Sequence, residues 1–157
     1  MVAIGLITAL VCVALLCLVV SVYGVPDMVS SIYYLLGRRG WMFQLAMVVL
    51  GIVMMACLLD SGLGEPCLAF IACGSLLFVG AAPRFLEHDE RAVHKGAAII
   101  SAVASVAWCV TVELYVPLLF AASYGVYLLC RNRNSKPWFA AEVMALWMVL
   151  ITYLRNV

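Results

Sequence analysis

The sequence predicts an all-α fold: a polytopic transmembrane helical bundle of six spans, with an amphipathic interfacial helix after the first span. Three observations carry this expectation. The 157 residues are 68% hydrophobic and 11% charged, against about 45–50% and about 25% in soluble domains. The apolar residues come in continuous runs of membrane-helix length and do not alternate as strands would. The basic residues gather in loops that six spans would bring to one face. The whole chain, 1–157, reads as a single integral membrane domain with no linker, low-complexity tract or internal repeat.

Crossing about 30 Å of hydrocarbon takes roughly 20 residues at 1.5 Å each. Residues 2–23 form the first such run. No Lys or Arg precedes it, whereas a signal peptide begins with a basic region, so the run is expected to stay as a helix. The next stretch, "VPDMVSSIYYLLGRRG", is the interfacial helix, about 27–36. Asp27 is a suitable cap, Met28, Ile32, Leu35 and Leu36 share one face, and Asp27, Ser31, Tyr34 and Arg38 share the other. Residues 41–59 and 67–82 are the second and third spans, the latter slightly short. From Ala97 to Cys130 the apolar sequence is too long for one span, and Glu113 with Pro117 divides it into 97–112 and 114–130. Residues 137–154 are the sixth span.

This count sends loops 24–40, 83–96 and 131–136 to one face. They hold Arg38, Arg39, Arg84, Arg91, Lys95, Arg131, Arg133 and Lys136, eight of the nine basic residues, and only Arg155 falls on the other face. By the positive-inside rule the charged loops are cytoplasmic and both termini lie outside, in the cell (inner) membrane.

Glu142 lies five residues beyond Pro137, roughly 7–8 Å into the sixth span. A carboxylate at that depth is costly and marks a functional candidate; the structural alternatives are snorkelling, or pairing with Arg84 or Lys95. Gln44, Arg84 and His94 fall at the same end, with Tyr33 and Tyr34 nearby, and together they predict a cytoplasm-facing polar pocket. Arg38 and Arg39 are candidates for membrane phosphate contact. Gly96, Ala97, Ser101 and Ser105 follow small-xxx-small spacing, which lets helices approach closely, and Ala121 with Gly125 suggests the same for the fifth span. Glu87, His88, Asp89 and Arg91 read as a solvated loop.

The net charge of +1 speaks against nucleic-acid binding. The seven cysteines form no CxxC pair and read as small apolar residues, with Cys57–Cys67 as the one disulfide to test. His88 and His94 point to different faces of a continuous helix, so no metal site is expected, and no cofactor. There is no GxSxG, HExxH or glycine-rich phosphate loop, so no catalytic residue is assigned. The expected function is non-enzymatic: a binding or accessory protein that recognises a lipid headgroup or another membrane protein through its cytoplasmic face, with membrane lipids, a membrane protein or a second copy of itself as partners. The alternative is a small proton- or cation-coupled transporter or channel using Glu142 and His94. A lipid-directed membrane enzyme is the third reading.

"VPDMVSSIYY" and "FVGAAPRFLEHDERAVHKGAA" resemble segments of small uncharacterised bacterial membrane proteins. Those carry a P-x-x-[IL]-S-x-x-Y-Y element, then FVGAAP and a VHxxxA opening to the next helix; here Val29 stands where Ile or Leu is usual. More distantly, the six-span plan with a histidine opening the fourth helix is similar to the Frag/DRAM/Sfk-type membrane proteins. The resemblance covers roughly residues 22–110 and implies the six-helix fold, not an activity.

Overall fold

The structure is a computed structural model describing residues 2–157 except Pro83, Phe85, Glu87 and Arg133, and except the side chains of His88 and Asp89. The solvated-loop reading of Glu87, His88 and Asp89 therefore lies outside the described side chains. Among the described residues the chain is helical and has no strand. A long helix covers each of the six predicted runs: α1 (Val2–Tyr23), α3 (Trp41–Asp60), α4 (Pro66–Ala81), α5 (His88–Val112), α6 (Tyr115–Cys130) and α7 (Pro137–Asn156), with a four-residue α2 (Ile32–Leu35) after the first. Four of the long segments have the length and apolar character to cross a membrane: Val2–Tyr23, Gly37–Asp60, Glu90–Val112 and Pro137–Asn156. Helices α4 and α6, of 16 residues each, are apolar but shorter.

The outside of this bundle is greasy. Ile99 is 65% exposed and Leu129 87% exposed, and Ile7, Leu10, Leu18, Phe70, Phe78, Val103 and Leu118 also face outward. Patches of that extent are uncommon on soluble monomers. Helix α4 sits between α3 and α5, α1 lies along α3, and α7 packs against α5 and α6.

Two glycines set the closeness of α3 and α4. A Cβ on Gly51 would meet the Leu77 side chain at 2.7 Å and the Cys73 carbonyl at 3.2 Å. One on Gly80 would meet Met47 at 3.0 Å and the Gln44 carbonyl at 3.3 Å. The expected close-packing stripe on α5 is realised differently. Ala97 and Ala104 are buried and the Ser101 hydroxyl donates to the Ala72 carbonyl at 2.8 Å, but a Cβ on Gly96 would meet nothing within 4 Å. Gly125 on α6 is likewise open, so the close approach expected there is not made.

The interfacial helix expected over 27–36 is broken. Val29–Ser31 is a 3₁₀ turn, Ile32–Leu35 one α-helical turn, and Gly37–Arg39 a second 3₁₀ turn. Its apolar side is turned into the bundle: Ile32 is buried and packs with Val19, Phe43, Met47, Val79 and Ala97. Asp27 is not its cap. The capping position is Met28, which makes no side-chain cap bond, and the Asp27 carboxylate instead accepts from Lys136 Nζ at 2.5 Å.

A second core occupies the end that carries the termini, around Cys57, Trp108, Cys109 and Tyr153. Gly5 lets α1 join it: a Cβ there would lie 2.9 Å from Cys57 Sγ and 3.9 Å from the Tyr153 ring. The buried Thr152 hydroxyl has no oxygen or nitrogen partner among the described residues and lies beside the Cys109 thiol, a weak one. None of the seven cysteines is in a disulfide; Cys57 is buried and Cys67 exposed, so the bridge between them is not formed.

Candidate functional site

Glu142 sits on the second turn of α7 and is half-buried. Its Oε2 accepts from the Val29 amide at 2.5 Å, and the Ser30 amide lies close by. The first amides of a helical turn have no intrahelical partner and favour an anion. The carboxylate that caps the 29–31 turn therefore comes from 113 residues away. Two further bonds fasten the same segment to the start of α7: the Lys136–Asp27 ion pair, and the Phe139 amide donating to the Asp27 carbonyl at 3.1 Å. Residues 24–40 thus form a roof tied to α7, which accounts for their bent path. Glu142 pairs with neither Arg84 nor Lys95 among the described ion pairs.

The other predicted residues belong to a different construction, over the turn from α4 to α5. His94 is buried at 4% exposure, and its Nδ1 bonds the Ala82 carbonyl at 2.8 Å. A carbonyl only accepts, so the proton is on Nδ1. The Val79 carbonyl is also within reach of the ring, so His94 covers carbonyls that the end of α4 leaves unpaired. Arg84 Nε pairs with Glu90 at 3.1 Å, and the Arg84 amide donates to the same carboxylate at 2.8 Å. Tyr34 accepts from the Leu86 amide at 3.0 Å and meets Tyr33 edge-on at 5.3 Å. The Tyr33 ring packs on Gly40, where a Cβ would approach it to 2.7 Å. Gln44 is half-buried on α3, and its carbonyl is the neighbour of Gly80. Arg38 and Arg39 are exposed on the roof.

Beneath the roof lies a cavity of about 320 Å³. Its walls come from α1 (Cys12, Leu16, Val19), α3 (Phe43, Met47, Leu50), α4 (Ala72, Cys73, Leu76), α5 (Ala98, Ser101, Ala102, Ser105) and α7 (Glu142, Val143, Leu146, Leu150), and its roof from Val29, Ser30, Ile32 and Leu36. The lining is almost wholly apolar; Ser30, Ser101, Ser105 and Glu142 are its hydroxyl and carboxyl groups. Leu18 on α1, Met42 on α3, Ala102 on α5 and Leu146 and Trp147 on α7 are lining residues that are also exposed, so the cavity opens to the outside of the bundle.

Of Glu142, His94, Arg84, Gln44, Tyr33 and Tyr34, only Glu142 lines this cavity among the described residues. The grouping expected as one polar pocket divides in two because each polar residue near the charged end finds a backbone partner on its own side. Sequence reading missed the cavity itself. The signal was present in Ala98, Ser101, Ala102 and Ser105, whose small side chains at helical spacing leave room as readily as they allow contact. No cluster of three or more His, Cys, Asp or Glu with metal-holding geometry occurs among the described residues. No family model, curated protein or solved structure matches the chain.

Proposed function

We propose that this is a non-enzymatic integral membrane protein of six spans that binds one hydrophobic chain of a membrane lipid in the cavity under the 24–40 roof. It sits in the cell (inner) membrane with its charged loops cytoplasmic and both termini outside. The cavity carries this reading. Ligand pockets occupy roughly 300–1,000 Å³ and combine apolar walls with a few placed polar groups; this one, at about 320 Å³, has room for a single chain and one polar group. A chain would come and go through the exposed side of the cavity, within the bilayer.

The six-span count draws on the greasy exterior and on the eight-to-one division of basic residues. At 16 residues, α4 and α6 are about 24 Å long at 1.5 Å per residue. Local thinning of the bilayer meets that shortfall at a fraction of a kcal/mol per Å. Arg38 and Arg39 are exposed on the roof, and headgroup phosphates are the partners that guanidinium groups take at a cytoplasmic membrane surface. The transport reading draws less support. The described core beyond the cavity, toward the termini, is packed with Cys57, Trp108, Cys109 and Tyr153 and offers no polar path.

The test is native mass spectrometry of the full chain released from mild detergent. The wild-type protein should carry one lipid-derived adduct, and Ala102→Trp, which fills the cavity from α5, should lose it. An adduct retained in a folded Ala102→Trp protein would overturn the reading, as would its absence from wild type.

A further inference from the structure

We infer that the chain in this cavity belongs to a single-chain amphiphile whose polar end is a cationic amine, held by Glu142. The inference rests on the lipid-chain reading above and adds the chemistry of the polar end. The observation behind it is an unfinished charge. Glu142 lines an apolar cavity, and its described hydrogen-bond partner is the backbone amide of Val29, with the Ser30 amide close by. Among the described ion pairs, Lys136 is taken by Asp27, Arg84 by Glu90 and Arg155 by Glu113, and none reaches Glu142.

A carboxylate removed from water is compensated when a cation and further hydrogen bonds join it. Backbone amides at the roof leave part of its acceptor capacity open, since a carboxylate offers about four lone-pair sites. An ammonium group brings three N–H donors to those open sites, and Ser30, next to Val29, adds a hydroxyl of the lining on the roof side. An acidic lipid would bring a second negative charge to Glu142 and is disfavoured. The volume limits the occupant to one chain, because about 320 Å³ is at the low end for ligand pockets. Because Glu142 also caps the roof at Val29, the ligand and the roof are held by one group. An occupant at Glu142 therefore sits directly below the segment that closes the cavity.

The experiment offers the full chain hexadecylamine, hexadecan-1-ol and hexadecanoic acid separately, at equal concentration in the same detergent. Native mass spectrometry then reads the fraction carrying one adduct. The amine should bind about tenfold more tightly than the alcohol, the scale of one charge-assisted hydrogen bond, and the acid should bind weakest. In Glu142→Gln, whose amide oxygen still accepts from Val29, the amine should fall to the level of the alcohol. Lys136→Ala loosens the roof without touching the carboxylate and should keep the amine preference. That variant separates the charge from the fold.

Equal binding of all three probes by wild type, with all three lost in Ala102→Trp, would overturn the amine assignment and leave the chain-binding reading standing. Failure of all three to bind wild type would overturn both. A preference for the amine that persists in Glu142→Gln would overturn the role given to Glu142.

Discussion

At the end of the bundle that carries the termini, the Trp108 ring donates to the Leu63 carbonyl at 3.2 Å, and Thr111 accepts from the Glu65 amide at 3.3 Å. Asn156 and Arg155 of α7 reach Glu113 at the turn into α6. At the charged end the roof is likewise fastened by polar contacts, Glu142 to the Val29 amide and the start of α7 to Asp27. What they enclose differs. The first set closes over Cys57, Trp108, Cys109 and Tyr153, packed to 1% exposure or less; the second closes over a cavity. Polar fastening alone therefore says little about what lies beneath it. A packed core at one end and a cavity at the other divide the molecule into a part that holds it together and a part able to take something in.

Breaking the packed end should cost most. Trp108 is 1% exposed and its N–H holds the loop between α3 and α4. Trp108→Ala should lower stability by about 3–5 kcal/mol, the usual cost of deleting a buried large aromatic, with the lost hydrogen bond contributing to it. Thermal unfolding followed by circular dichroism in detergent measures the change. A loss below about 1 kcal/mol would mean that this end is not the packed anchor, and the comparison would fail.

The charged end should respond more locally. Glu142→Ala leaves the Val29 amide without its acceptor and opens the roof from α7. An unmade bond of this kind costs about 1–3 kcal/mol. The expected readout is faster hydrogen exchange confined to residues 28–36, with the amides of α5 around Trp108 unchanged. Equal acceleration at both ends would show one cooperative unit in place of two.

The six helices were legible because continuous apolar runs and breaks such as Glu113 with Pro117 are local properties of the chain. The depth of Glu142 was legible too, since Pro137 fixes where its helix starts. Its partner was not. Val29 is 113 residues away, and the bonding group is a backbone amide, which every residue type carries. The roof was misread as a continuous amphipathic helix because the apolar spacing of Met28, Ile32 and Leu36 fits one turn of helix as well as several. Tertiary bonds to Asp27 and Glu142 decided otherwise. The close approaches at Gly51 and Gly80 are not legible in the sequence, because a lone glycine in an apolar run looks the same whether or not a neighbouring backbone touches it.

The smallest effect belongs to the roof's outer fastening. The Lys136–Asp27 pair is close at 2.5 Å, yet its two side chains are 39% and 75% exposed. Water screens such a pair, and holding two mobile side chains in one geometry opposes it, so exposed pairs contribute about 0–1 kcal/mol. The Asp27 carbonyl would still accept from Phe139 and the Glu142 cap would remain. Lys136→Ala should therefore leave thermal unfolding within about 1 kcal/mol of wild type. It should speed exchange at Val29 and Ser30 far less than Glu142→Ala does. If Lys136→Ala instead matched Glu142→Ala, the roof would be held by surface charge and would loosen in high salt. The buried carboxylate would then lose its claim to be the group that joins roof and cavity.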